Sequence, residues 1–384
     1  MNRTPSIDAQ TRADGLIGAF VDAGYARVSP AILQPAEPFF DLSGEDMRRH
    51  MYLVTDTAGR EFCLRPDLTI PVARDYLASS RAPQPAKFCY LGPVFRDSGA
   101  GSGEFLQAGI ESFGHADRAA ADAEALALGI EATAQYGLAT PGIVIGDVAL
   151  FAALIAALDL PPAWKRRLLK DFNRKATLAQ DLERLTPTSR QKRNEYQGVL
   201  AALANAHPKA AHALVTDLLS IAGKSAVGGR SIGEIADRFV EQAELGASNA
   251  LPEETCALLA RFLAVEGTPS EGAAALRGLA AEAGISLAPA LELFESRIVL
   301  LARRGVDVDR IRFATAFGRG VDYYTGFVFE LYDRAGRVDG QLVAGGRYDG
   351  LLSRLGSPQP VAAVGFAAWI ERLAALAADI EKER

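Results

Sequence analysis

Glu104 to Phe113 reads EFLQAGIESF, and whether this run is a strand decides the fold class. Taken as a strand, alternate side chains share a face. Phe105, Gln107, Gly109, Glu111 and Phe113 then point one way, and Leu106, Ala108, Ile110 and Ser112 the other. The second set makes a core face. The first sets a carboxamide and a carboxylate roughly 13 Å apart along the chain. Glycine between them weakens a strand, and close approach of another group is one reason to keep it. Gln107 and Glu111 beside a bare patch suit a small polar ligand with a positive end. A solvent-facing strand with a bulge would use the same residues.

The neighbouring sequence supports a mixed fold. Glu61 to Leu64, Lys87 to Phe95 and Gly142 to Ile145 are short runs rich in aromatic and β-branched residues, as strands are. Ile7 to Ala23 reads as an amphipathic helix closed by Gly24, and Ala116 to Tyr136 as a second helix. Strands return at Arg312 to Phe317, Phe327 to Tyr332 and Gln341 to Ala344, before a last helix from about Ala367 to Glu381. The expected class is α+β, an antiparallel sheet flanked by helices. Its core is discontinuous, over residues 1–160 and 305–384, around a mostly helical, alanine- and leucine-rich insertion region at 161–304.

Composition bounds the function. The 384 residues are 49% hydrophobic and carry a formal charge of −6, so bulk electrostatics would not draw the chain to nucleic acid or an acidic membrane. From Trp164 to Arg193, ten Lys or Arg residues face three acids. Such a run fits a solvated helix face or a contact for an anionic partner. Cys63, Cys89 and Cys256 form no C-x-x-C pair, which suits a reducing compartment and excludes a structural zinc site. The N-terminus lacks a signal-peptide core, and the longest apolar run, Val148 to Leu158, is too short to cross a bilayer. A cytoplasmic protein without metal or cofactor is expected. His50, His115, His207 and His212 are scattered, and Gly223-Lys224-Ser225 lacks the glycine that a phosphate loop places upstream.

Two further segments carry chemistry. Phe317 to Glu330 reads FGRGVDYYTGFVFE, in which glycines flank Arg319 and a tyrosine pair precedes an aromatic strand. An arginine fork suits carboxylate or phosphate, and adjacent glycines admit a ligand close to the backbone. Ala344 to Leu352, AGGRYDGLL, joins a glycine turn to Arg347, Tyr348 and Asp349.

Together these segments resemble histidyl-tRNA synthetases. RGVDYYTG is similar to their histidine-specific signature, and AGGRYDGL to the segment after it. Leu64 to Thr69, LRPDLT, matches another of their motifs. Ser29 to Glu37, Leu91 to Arg96 and Gly365 to Arg372 resemble class II motifs 1, 2 and 3, the first of which implies a homodimer interface. The resemblance implies that Asp67, Thr69 and Gln107 hold a histidine ammonium. It also implies that Glu111 and Tyr324 address the imidazole, with Tyr348 lining the pocket, and that Arg96 and Arg319 face the carboxylate.

The nucleotide half departs from the synthetase pattern. Ser98 replaces a glutamate, Gly101 and Gly103 replace two arginines, and Trp369 replaces a glycine, whereas Arg372 is kept. The chain also ends at Arg384, soon after motif 3, so no anticodon-binding domain and no tRNA partner are expected. This combination resembles the regulatory subunits of short-form ATP phosphoribosyltransferase. The resemblance implies a non-catalytic chain that assembles with a small catalytic subunit in a hetero-oligomer and confers feedback by L-histidine. A histidyl-tRNA synthetase-type adenylating enzyme is the alternative.

Overall fold

The computed structural model describes residues 7–42, 44–79, 82–97, 99, 103–172, 177–178, 213–217, 233, 236, 252–318 and 323–383. The strands are β1 (Ala26–Arg27), β2 (Leu33–Pro35), β3 (Leu53–Thr55), β4 (Glu61–Leu64), β5 (Ala86–Phe95), β6 (Glu104–Phe113), β7 (Gly142–Asp147), β8 (Glu266–Gly267), β9 (Ile311–Ala314), β10 (Phe327–Tyr332), β11 (Val343–Arg347) and β12 (Ala363–Trp369). Nine of them form one sheet in the order β1-β5-β6-β12-β11-β10-β7-β9-β8. From β5 to β7 every pairing is antiparallel, whereas β1 joins β5 and β9 joins β7 in parallel, and β8 edges β9 antiparallel. β2, β4 and β3 make a separate small sheet.

EFLQAGIESF is β6, and it lies inside the sheet. Its register with β5 runs unbroken from Phe95↔Glu104 to Ala86↔Phe113, so there is no bulge. Gln107 and Glu111 are buried, which removes the solvent-facing alternative. Gly109 is kept for the protein's own packing: a Cβ there would strike the Phe366 carbonyl and the Tyr90 hydroxyl.

Three local expectations change. The last helix begins at Ile370, because Ala363 to Trp369 is a strand filling the gap between β6 and β11. Almost wholly buried, that strand shows no polar alternation to betray it. Gly345 and Gly346 lie inside β11 rather than in a turn, where Cβ atoms would meet the Gly365 and Phe327 carbonyls. The first run after the helical zone ends at Ala314, and a backbone bond from Phe317 to Ala314 turns the chain.

Helices cover both faces. α1 (Ile7–Asp22) is followed by α2 (Glu37–Leu42), α3 (Gly44–Arg49), α4 (Thr69–Ala78), α5 (Arg118–Gln135), α6 (Val148–Ala157) and α7 (Pro162–Asp171). Then come α8 (Glu253–Leu263), α9 (Pro269–Glu282), α10 (Ala288–Arg303), α11 (Leu351–Arg354) and α12 (Ile370–Glu383). α1, α5 and α12 pack on the sheet, where Phe20 meets Phe366 edge-on at 5.7 Å. On the opposite face, α4 stacks Tyr76 against Phe113 at 4.9 Å, within a cluster that includes Phe88, Tyr90, Tyr348 and Leu351.

Residues 1–153 and 262–384 form one compact unit and Leu154–Arg261 a second. The sheet unit therefore takes in α9 and α10, which the sequence reading assigns to the helical insertion. α10 packs along α5, and α9 contacts β8 and β9. In the second unit, α7 pairs Arg167 with Asp171 at 2.5 Å. Most of the basic run beyond residue 172, and Gly223 to Ser225, lie outside the described residues. Among the described residues no helix is long and apolar enough to cross a membrane, and no cluster of potential ligands could hold a metal ion.

Candidate functional site

Directly opposed residues on neighbouring strands share a face. Gln107, Gly109 and Glu111 on β6 stand opposite Trp369, Ala367 and Gly365 on β12, and Gly365 stands opposite Gly346 on β11. The middle of this face is therefore a strip of small residues crossing three strands. Its glycines are obligatory, since a Cβ on Gly365 would enter the Glu111 carboxylate and one on Gly346 would lie 3.0 Å from the Tyr324 ring.

Hydroxyls converge on Glu111. Tyr348 donates to Oε2 through a short bond, Tyr90 donates to Oε1 at 3.2 Å, and the Thr69 side chain hydrogen-bonds the same carboxyl. Glu111 has no exposed surface, and burial pushes its pKa up to about 8 against the opposing pull of those three bonds. Burial and the neighbouring anion also lift Tyr348 and Tyr90 well above the ordinary phenol range. Tyr323 packs edge-on against Tyr348 at 5.6 Å, and Tyr324 lies 6.4 Å from it.

LRPDLT is held by two arginines. The Arg65 side chain donates to the carbonyls of Pro93 and Pro30. Arg96 Nε donates to the Pro66 carbonyl at 2.7 Å while its guanidinium lies over Phe105. Asp67 follows and accepts from the Ile70 amide at 3.2 Å at the start of α4. Burial raises its pKa, and the Arg96 charge opposes the rise. Gln107 is 1% exposed, and its Oε1 has no hydrogen-bond partner among the described residues. A buried acceptor left unanswered costs about 1–3 kcal/mol, so this atom marks a place for a donor.

Trp369 bounds the strip beside Gln107. It is 7% exposed, and the Arg372 guanidinium lies over its ring at 5.4 Å. Arg372 also donates to the Gln341 carbonyl at 2.7 Å and sits where a side chain on Gly340 would go. Gly103 closes the β5–β6 hairpin by accepting from the Arg96 amide at 2.7 Å. At φ +68, and with Tyr52 where its Cβ would be, this position has no room for an arginine. Asp67, Thr69, Arg96, Gln107, Glu111, Tyr324 and Tyr348 thus lie on or around one face. Arg319, Ser98 and Gly101 lie outside the described residues.

Sequence reading missed two features. One is Tyr90, whose position directly opposite Gly109 follows from the hairpin register. The other is a buried ion network beneath the site. Arg297 bonds Asp122 and Asp147, each at 2.8 Å, and Arg347 bonds Asp122 and Asp349. Arg347 is thereby a structural tie rather than a ligand group. A signal existed in Asp122, an acid within the alanine-rich buried face of α5.

The histidyl-tRNA synthetase family model matches residues 8–232 and 213–373. The ATP phosphoribosyltransferase regulatory subunit of Brucella canis is 40% identical over 351 residues, which cover 91% of this chain and 92% of the relative. The Brucella ovis protein of that name matches equally well. Among solved structures, an ATP phosphoribosyltransferase regulatory subunit/histidyl-tRNA synthetase from Bacillus halodurans C superposes with a TM-score of 0.68 at 22% identity, over 98% of this chain and 81% of that one. A histidine–tRNA ligase subunit from Alicyclobacillus acidocaldarius gives a TM-score of 0.59 at 25% identity, over 99% and 96%. The fold is that of class II aminoacyl-tRNA synthetases, and the chain belongs to the family of ATP phosphoribosyltransferase regulatory subunits.

Proposed function

We propose that this chain is the non-catalytic, histidine-sensing subunit of a short-form ATP phosphoribosyltransferase, acting in the cytoplasm at the first step of histidine biosynthesis. The observation that carries the reading is the small-residue strip with the unanswered Gln107 acceptor near one end and the Glu111 carboxyl at the other. An amino-acid ammonium is the donor that Gln107 Oε1 lacks and a charge that Asp67 suits, Arg96 and Arg319 suit its carboxylate, and Glu111 with Tyr324 and Tyr348 suits an imidazole. Differential affinity of histidine for two states of the assembly would bias its activity.

The neighbouring space argues against adenylation. Trp369 takes the position where the resembling synthetase motif has a glycine, Arg372 is engaged by its own chain, and Gly103 has no cation to offer. With the −6 net charge, these features also speak against a tRNA partner. Leu33 and Val54 are 48% and 43% exposed on one face of the small sheet, beside Phe62 and Leu64, which makes that face the homodimer contact we favour.

The test is co-expression with a short-form catalytic chain. Co-purification, activity that depends on this chain and inhibition by histidine are the expected results. Glu111→Ala should abolish inhibition while leaving assembly intact. Histidine-dependent ATP–pyrophosphate exchange by the purified chain would overturn the non-catalytic assignment.

A further inference from the structure

Among the described residues, Glu111 is buried without a cation. Among the described residues its hydrogen bonds come only from the hydroxyls of Tyr348, Tyr90 and Thr69. The other groups facing it do not supply positive charge. Asp67, before α4, repels a second anion, and Tyr323 packs its ring against Tyr348. β12 presents only Gly365 and the Phe366 carbonyl, and the Arg96 charge acts on Asp67. A carboxyl taken from water without a counter-ion keeps its proton.

Tyr90 makes this proton movable. Its hydroxyl lies 3.2 Å from Glu111 Oε1 and 3.3 Å from the Phe366 carbonyl, so one proton has two acceptors at nearly equal range. With Glu111 neutral, the hydroxyl can donate to Phe366 and accept from the carboxyl. With Glu111 ionised, it can turn and donate to the carboxylate.

Resting on the histidine reading above, we infer that Glu111 stores a proton in the empty cradle and hands it to the ligand's imidazole, with Tyr90 as the positioning residue that lets the carboxyl change charge. The O–H bond of the carboxyl breaks as an N–H bond forms at the ring nitrogen, whose lone pair takes the proton. The products are a carboxylate and an imidazolium in contact. No proton enters from solvent and no co-reactant is needed. The cradle thereby selects a ligand by its basicity as well as its shape, since a non-basic ring cannot complete the charge pair.

The experiment is calorimetry of L-histidine binding in buffers of different ionisation enthalpy, with 15N spectra of the bound, labelled ring. A free imidazole titrating near ~6.5 is mostly neutral at about pH 7. A stored proton therefore gives net uptake at the ring and carboxyl close to zero there, rising near pH 9, once the empty carboxyl has ionised, to about one per site beyond what the ligand's α-amino group takes up as the bound ammonium. Both ring nitrogens should show imidazolium shifts. Tyr90→Phe removes one donor to the carboxylate and should move the rise in uptake upward by about one pH unit. A merely structural Tyr90 would change affinity without moving that profile. Binding of β-(2-thienyl)alanine, a non-basic isostere, should be at least about tenfold weaker. Uptake of about 0.8 proton already at pH 7, or a neutral bound ring, overturns the inference and leaves the histidine site standing. Failure of histidine to bind at all would remove the site itself.

Discussion

Glu111 and Trp369 bound the same buried sheet face, yet their surroundings follow opposite rules. Along β6 the chain leaves polar capacity unused: among the described residues the Glu111 carboxyl has no cation, and Gln107 Oε1 has no donor. Around Trp369 the chain answers itself, with Arg372 stacked on the indole and bonded to the Gln341 carbonyl. Both places match family motifs, and only the first leaves anything for a ligand to satisfy. A retained arginine is therefore weak evidence for a retained activity until its partners are known.

Substitutions can test this contrast, beginning with the scaffold beneath it. Arg297→Ala strands Asp147 in the core, leaves Asp122 with Arg347 alone, and should cost about 3–5 kcal/mol of stability in urea unfolding. Histidine affinity of the folded fraction should change less than about threefold, because this network binds no ligand. A large loss of affinity at full stability would move the network into the site.

Next in size is a pH effect. Folding raises the Glu111 pKa from 4.5 to about 8, so the native state holds more protons than the unfolded chain between those values. Stability must fall as pH rises through that window and then level off, with a total of about 5 kcal/mol as an upper bound. Glu111→Gln should remove this component of the fall in melting temperature. Parallel pH profiles for the two proteins would mean that Glu111 is already ionised.

Smaller effects separate the unanswered acceptor from the self-engaged arginine beside it. Gln107→Leu deletes the unanswered acceptor, and calorimetry should show histidine affinity falling about tenfold with unchanged or improved stability. Arg372→Gln should alter histidine affinity by less than about threefold, since its bonds go to its own chain. An equal loss in both variants would erase the distinction between open and self-satisfied groups.

Much of the sheet was legible because its signals are local. Glu104 to Phe113 and Phe327 to Tyr332 are strands with the bounds expected of them. Ala363 to Trp369 was not, because a central strand rich in alanine shows neither alternation nor β-branched bias. The helices after residue 268 were legible as helices but not in their place. An apolar stripe says that a helix packs, not whether its partner is the sheet or an insertion. In the site, residue types and spacing pointed to Gln107 and Glu111. Tyr90 and the Asp122 network arise from cross-strand register and long-range pairing, which no short stretch of sequence contains.

Equilibrium dialysis of the purified chain against labelled L-histidine and, separately, labelled ATP tests the contrast most directly. Saturable uptake of one histidine per chain, lost in Glu111→Ala, with no saturable ATP, is the expected result. Saturable ATP binding alongside histidine, or ATP without histidine, would contradict it.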